Sequence, residues 1–509
     1  MLGLRQPGAC RHQAGAWGPA GAAWRAHPAR RAPNPATCRP ETRTLLPSPY
    51  AASGSPRTSS SIAAASTSAE AAPVSKQGQV FSLGEPGSWD EAAVGSPVVR
   101  CYLGDDEQRW VMWYSGRKAD SPAGANGGVD AVAPSSGSVG VAISRDGVHW
   151  FRGTDAIEGS RGPDAASDVG QTITPNGDWW WFDTCHLAPG DVQVLSNSSV
   201  SSGVGVYWMF YAGGDYEPVQ LPEGFPGAGA EAVEGMRTRP GLAMSQDGRN
   251  WARIEADHHT GALFDVGKPG EPDSLFVRSP QVMNVGPGDM RMFYTSWCPS
   301  RRRWVVLSAT SPDGFRWTKR GIVFDPAAVG AASGTSSVDL AAASGSSVDM
   351  GSAASGNGGA AAFDAQGAAA ISVVRDIDNR QYLMFYEAVG ADNRRTVGLA
   401  VSKDCSNWRR YGSPVLAAAG EDEGAGEAWD GGDVGSPCGV SMTARKWRIY
   451  YAGRSTSGSG PWQGIGLAVS VEGGPTFEGV PVEYRRRAPA TAAAVTAAFT
   501  AEGGLSDLE

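Results

Sequence analysis

Between residues 183 and 191 the chain reads Asp-Thr-Cys-His-Leu-Ala-Pro-Gly-Asp, which puts Asp183, His186 and Asp191 on one short stretch. Two carboxylates and an imidazole held close together are material for proton transfer. Neighbouring carboxylates push their pKa values apart, so one serves as acid while another stays a base near neutral pH. Arg278, in the run Val277-Arg-Ser-Pro-Gln281, adds a guanidinium whose planar fork suits a carboxylate, a phosphate or sugar hydroxyls. Asp90, Glu387 and Asp433 supply further carboxylates. The loop spacing of Asp183, His186 and Asp191 matches no recognised ligand pattern, so neither a metal nor a cofactor is expected. Plainer readings stand beside each: a lone histidine is usually structural, Arg278 could pair with a nearby Asp, and Glu387 could simply face solvent.

An internal repeat must position these residues. Ser144-Arg-Asp-Gly-Val-His-Trp150 returns as Ser245-Gln-Asp-Gly-Arg-Asn-Trp251, Ser311-Pro-Asp-Gly-Phe-Arg-Trp317 and Ser402-Lys-Asp-Cys-Ser-Asn-Trp408, with a decayed copy from Ser470 to Phe477. Asp-Gly between β-rich runs is a strong turn signal, because glycine accepts the positive φ the turn needs. The tryptophan after it is expected to fold back onto its sheet. A strand of small residues precedes each turn, and before it an aromatic strand such as Trp110-Val-Met-Trp-Tyr114 or Tyr382-Leu-Met-Phe-Tyr386. An entry strand opens each unit, as Val94-Gly-Ser-Pro-Val98, Val277-Arg-Ser-Pro-Gln281 and Val434-Gly-Ser-Pro-Cys438, and more loosely at 191–195 and 371–374. Four strands per unit and five units predict an all-β, five-bladed β-propeller of four-stranded antiparallel blades over residues 77–486. The Asp-Gly turns should all lie on one side of it.

Residues 1–76 carry eight Arg and Lys76 against only Glu41 and Glu70, and are rich in Ala, Ser and Pro. That composition is expected of a disordered organelle transit peptide, for the chloroplast first and the mitochondrion second. An Ala/Gly/Ser insertion at 327–362 and an Ala-rich tail at 487–509 flank or interrupt the repeat. The formal charge of −9 falls to about −16 without the presequence, which argues against a nucleic-acid partner. No apolar run reaches the roughly 18 residues of a membrane helix. The cysteines beyond the presequence are odd in number and lack CxxC spacing, so neither a disulfide framework nor a zinc site is expected.

The Ser-x-Asp-Gly-x-x-Trp turns, the aromatic strands and the Asp-bearing entries resemble the five-bladed propeller glycosidases of the arabinanase/levansucrase/invertase superfamily, over roughly residues 81–482. In that family an Asp at an inner-strand start is a catalytic base or the carboxylate that orients substrate and tunes the acid. Aligning Asp191 with Ser96, Ser279 and Ser436 gives it this place. The family's first-blade Asp is replaced here by Ser96-Pro97, which leaves Asp90 as the nearby carboxylate. The general-acid Glu has no match, and Glu387 is the substitute.

Asp191, Asp90 and Glu387 are therefore the candidate catalytic residues, and Asp183, His186, Arg278 and Asp433 the candidate substrate contacts. Asp183, His186, Asp191 and Arg278 should meet at one mouth of the central channel. Against this, Asp90, Asp183, Asp273, Asp364 and Asp430 recur at every blade entry, and a residue repeated in every unit is read first as structural. Two functions follow: a glycosidase-like protein acting on or binding a carbohydrate, or a non-catalytic propeller that binds a phosphorylated metabolite or a protein partner.

Overall fold

The computed structural model describes residues 77–487, apart from 104–107, 122–134, 154–168, 196–204, 227, 229–230, 329–361, 420–427, 443–444 and 458–459. The expected presequence, nearly all of the 327–362 insertion and nearly all of the 487–509 tail lie outside the described residues.

After β1 (Gln79–Ser82), the first blade comprises β2 (Ala93–Leu103), β3 (Gln108–Arg117), β4 (Ser138–Ser144) and β5 (Phe151–Arg152), with β6 (Gln171–Ile173) also on the β4 edge. The second is β7 (His186–Leu195), β8 (Val206–Gly214), β9 (Thr238–Ser245) and β10 (Ala252–Ile254). The third is β11 (Arg278–Gly286), β12 (Asp289–Cys298), β13 (Arg303–Ser311) and β14 (Thr318–Phe324). The fourth is β15 (Gly367–Asp376), β16 (Gln381–Val389), β17 (Arg395–Ser402) and β18 (Trp408–Arg410). The fifth takes β19 (Asp433–Ser441), β20 (Trp447–Arg454) and β21 (Gly464–Ser470). Its outer edge departs from the expected repeat. Phe477 lies in a separate hairpin, β22 (Thr476–Phe477) with β23 (Val480–Pro481), while β24 (Tyr484–Arg486) and β1 share the edge of β21.

The inner strands β2, β7, β11, β15 and β19 lie each against the next, and β19 returns to β2. An apolar cluster fills each of the five gaps between blades, the last joining Val99, Trp110 and Met112 to Tyr450, Ile465 and Leu467. Sheets covered on both faces explain why the aromatic strands are continuously apolar rather than alternating. Trp110 to Tyr114 are all buried.

The repeated turns are built by side chains. Ser144 Oγ accepts the Gly147 N–H at 2.9 Å, and Asp146 Oδ1 accepts those of Val148 and His149 at 2.8 and 2.9 Å. Gly147 has φ 73°, a left-handed value that favours glycine. The tryptophans do not fold back onto their own sheets. Trp251 packs on Trp113, Trp317 on Phe210 and Trp408 on Phe293, each across the gap to the preceding blade. One motif thus caps a hairpin and joins two blades.

The entry aspartates repeat with equal regularity. Asp90 accepts hydrogen bonds from Tyr114 Oη at 2.9 Å and Arg152 Nε at 2.8 Å. Asp183 does so from Tyr211 and Arg253, Asp364 from Tyr386 and Arg410, and Asp430 from Tyr451 and Arg486. Asp273 takes Tyr294 and Lys319. In every blade the buried carboxylate ties the entry loop to the aromatic strand and to a basic residue on or beside the outer strand.

Candidate functional site

A cavity opens where the inner strands begin, at the end of each blade away from the Asp-Gly turns. Each inner strand slips register by a residue at this level. Ser96, Ser279 and Ser436 adopt φ of 47°, 49° and 42° there, a strained region for residues other than glycine. Ser96-Pro97, Ser279 and Ser436-Pro437 line the cavity beside Ala370-Ile371 and Ala188-Pro189-Gly190. In the second blade Gly190 has no side chain to hold off the backbone and ring of Pro280, which close up against it.

His186 and Arg278 both line this cavity, together with Ser136, Thr238 and Gln281. His186 is 1% exposed. Its Nε2 lies 2.7 Å from the Gly235 carbonyl, which only accepts, so Nε2 carries the proton. Burial pushes the imidazole down to about 4, with the Gly235 hydrogen bond opposing and the Arg117 and Arg278 cations assisting. The ring is therefore neutral near pH 7. Its Nδ1 accepts the Ser136 hydroxyl at 2.6 Å.

This arrangement sets a pH dependence. The unfolded histidine gains a proton near 6.5, while the folded one resists until about 4. Its stabilising contribution is full above pH 6.5 and is lost as pH falls through that window. His186→Gln should flatten the fall of thermal stability between pH 6.5 and 4; an unchanged slope would contradict the buried neutral ring.

The carboxylates are placed differently from expectation. Register sets Asp191 opposite Phe210, as Val98 stands opposite Trp113, Gln281 opposite Phe293, Ser372 opposite Phe385 and Cys438 opposite Tyr450. The place of Ser96, Ser279 and Ser436 falls on Pro189, because the Ala-Pro-Gly run shifts the count by two. Asp191 is buried and does not line the cavity. It pairs with Arg100 of β2 and accepts the Val282 N–H of β11 at 3.0 Å, so it ties three inner strands together. Asp183 and Asp90 do not line the cavity either, being held in the blade-entry triads described above.

Glu387 is not solvent-facing at its strand end but fully buried. It pairs with Arg395 and accepts the Ser436 N–H at 2.8 Å. Asp433 accepts the Arg395 N–H at 2.8 Å and pairs with Arg454, whose guanidinium lies 4.7 Å from the Trp462 ring centroid. Of the four residues expected to converge, the structure brings two, His186 and Arg278, to the cavity.

Sequence reasoning passed over Ser136, Thr238 and Gln281. Ser136 lies in a Pro-Ser-Ser-Gly-Ser run that reads as linker, and nothing marked Thr238. Gln281 was legible as a polar residue where Val98 and Cys438 stand. Among the described residues no helix is long and apolar enough to cross a membrane, and no group of His, Cys, Asp or Glu is arranged to hold a metal ion.

No family model matches the sequence, and no curated protein matches it. Solved structures do. A glycosyl hydrolase from Bacteroides ovatus is 15% identical, covering 78% of this chain and 92% of its own, with a TM-score of 0.46. A thermostable family-43 glycoside hydrolase is 13% identical over 80% of this chain and 98% of its own, also at 0.46. An N-acetylgalactosamine deacetylase from F. plautii, solved with blood group B trisaccharide, is likewise 13% identical, covering 79% and 95%, at 0.46. The propeller carries its own statement of chemistry at the cavity, where hydroxyl, amide, imidazole and guanidinium groups meet apolar walls of Pro97, Val98, Ile371 and Pro437.

Proposed function

We propose that this propeller binds a carbohydrate at its channel mouth and does not hydrolyse it. The observation that carries the reading is the composition of the cavity wall. It mixes polar hydrogen-bonding groups with small apolar surfaces, and among the described lining residues there is no Asp or Glu. Hydrolysis of a glycosidic bond ordinarily uses two carboxylates about 5–9.5 Å apart on either side of it. Asp191 and Glu387 instead meet arginines and backbone N–H groups. Such contacts hold each carboxylate in place, away from the cavity wall.

The test is a panel of β-fructan, arabinan and mannan oligosaccharides offered to the full-length protein, read both by thermal shift and by release of reducing sugar. A ligand-dependent rise in melting temperature without sugar release is expected. Turnover by the wild type that disappears in a folded Asp191→Asn variant would overturn the binding-only reading.

A further inference from the structure

Among the described lining residues Arg278 is the one non-repeated charge. Gly95, Ala188 and Gly435 occupy the same register position in other blades. The side chain is 6% exposed, and its Nη1 is buried with no hydrogen-bond partner among the described residues. The expected pairing with an entry aspartate is not formed, since each of those carboxylates is held inside its own blade. Its nearest aromatic support is Trp304, whose ring centroid lies 5.7 Å from the guanidinium carbon. Burial pushes the Arg278 pKa down to about 10; Glu387 opposes this and Arg395 adds to it. Both oxygens of Glu387 already accept from other donors, Arg395 and the Ser436 N–H.

The other donors around it are largely committed. The Ser136 hydroxyl donates to His186, the Thr238 hydroxyl donates to the Val277 carbonyl at 2.8 Å, and the Gln281 amide donates to the Gly190 carbonyl. What remains is a buried cation with unused N–H capacity, facing a cavity with no negative charge in its described wall. A neutral ligand would leave that charge uncompensated, whereas an oxyanion matches both the charge and the fork of the guanidinium.

We infer that the ligand of this site carries an oxyanion, a carboxylate or a phosphate, and that Arg278 takes it. The inference rests on the reading of the cavity as a carbohydrate site and narrows the ligand to acidic or phosphorylated sugars.

Calorimetric titration of the full-length protein tests it, with glucose, glucuronate, glucose 6-phosphate, inorganic phosphate and acetate as probes. Wild type should bind at least one acidic sugar tenfold or more tighter than glucose. Glucuronate and glucose 6-phosphate tell carboxylate from phosphate. Arg278→Gln should erase that preference, and Arg278→Lys should keep part of it. Arg278→Gln removes a buried charge that has no partner, so its melting temperature should not fall, which separates lost binding from lost folding. Equal affinity for neutral and acidic sugars, or a preference that survives Arg278→Gln, overturns the inference while leaving carbohydrate binding intact. Arg278-dependent binding of inorganic phosphate without any sugar upholds the anion and overturns the carbohydrate. Binding of no probe at all overturns both.

Discussion

Asp191→Ala should lower the free energy of unfolding by about 3 kcal/mol, read from urea denaturation with an unchanged m value. Removing one member of a buried ion pair leaves the other charge and its hydrogen-bonding groups unsatisfied, at a cost of about 3–5 kcal/mol. The lower end applies because the Arg100 side chain is 31% exposed and regains water when its partner goes. The Val282 N–H loses its acceptor as well. Asp191→Asn should cost less, since an amide oxygen still accepts from that N–H. An Asp191→Ala protein as stable as wild type would show that the three inner strands do not depend on this carboxylate.

Glu387→Ala should be the more damaging change, in the full range of about 3–5 kcal/mol. Here both partners are buried, Glu387 at 0% and Arg395 at 7% side-chain exposure. Loss of the carboxylate removes a buried anionic partner of Arg395, which lies beside Arg278 and Arg454, and it frees the Ser436 N–H at the strained bulge of the fifth blade. The double variant Glu387→Leu with Arg395→Met removes both charges together. It should be more stable than Glu387→Ala alone, because well-packed apolar residues replace a buried pair at little cost. A double variant less stable than the single one would mean that Arg395 contributes through contacts other than this pair.

Both expectations reverse roles that the residue pattern had suggested, and the reason is local. The five units, the four strands of the first four and the side on which the turns lie were legible because each unit repeats the same small vocabulary: an aromatic strand, a small-residue strand and a Ser-x-Asp-Gly turn; the outer edge of the fifth, where that vocabulary has decayed, was not. The repeated entry aspartates were legible as structural on the same ground. Asp191 was misplaced because its blade replaces Ser-Pro with Ala-Pro-Gly, so that alignment by type placed it two residues away from its true register. Glu387 was readable as non-repeated, but its partner Arg395 is opposite in sign only across a hairpin, and no spacing rule announces a pair that is defined by burial. Arg278 and His186 were found because they break a repeat at an inner-strand start. Ser136 could not be found that way, since its position before β4 is fixed by the ring rather than by any motif.

The fifth blade takes its outer edge from both extremities of the described chain: β1 and β24 share the edge of β21, Leu467 N–H reaches the Gly78 carbonyl, and Trp429 Nε1 reaches the Gln77 carbonyl at 2.9 Å. The ring therefore has a seam, and the seam gives folding a direction. While the polypeptide is being synthesised, β1 leaves the ribosome before the other described strands and waits the longest for its partner. Until β21 exists, the flank of the first blade formed by Val99, Trp110 and Met112 stands open. The entropy of closing so long a loop grows only with the logarithm of its length, so the delay weighs on timing more than on final stability. The same asymmetry makes the seam the place where trimming from the amino-terminal side, once it passes Gln77, first opens the ring.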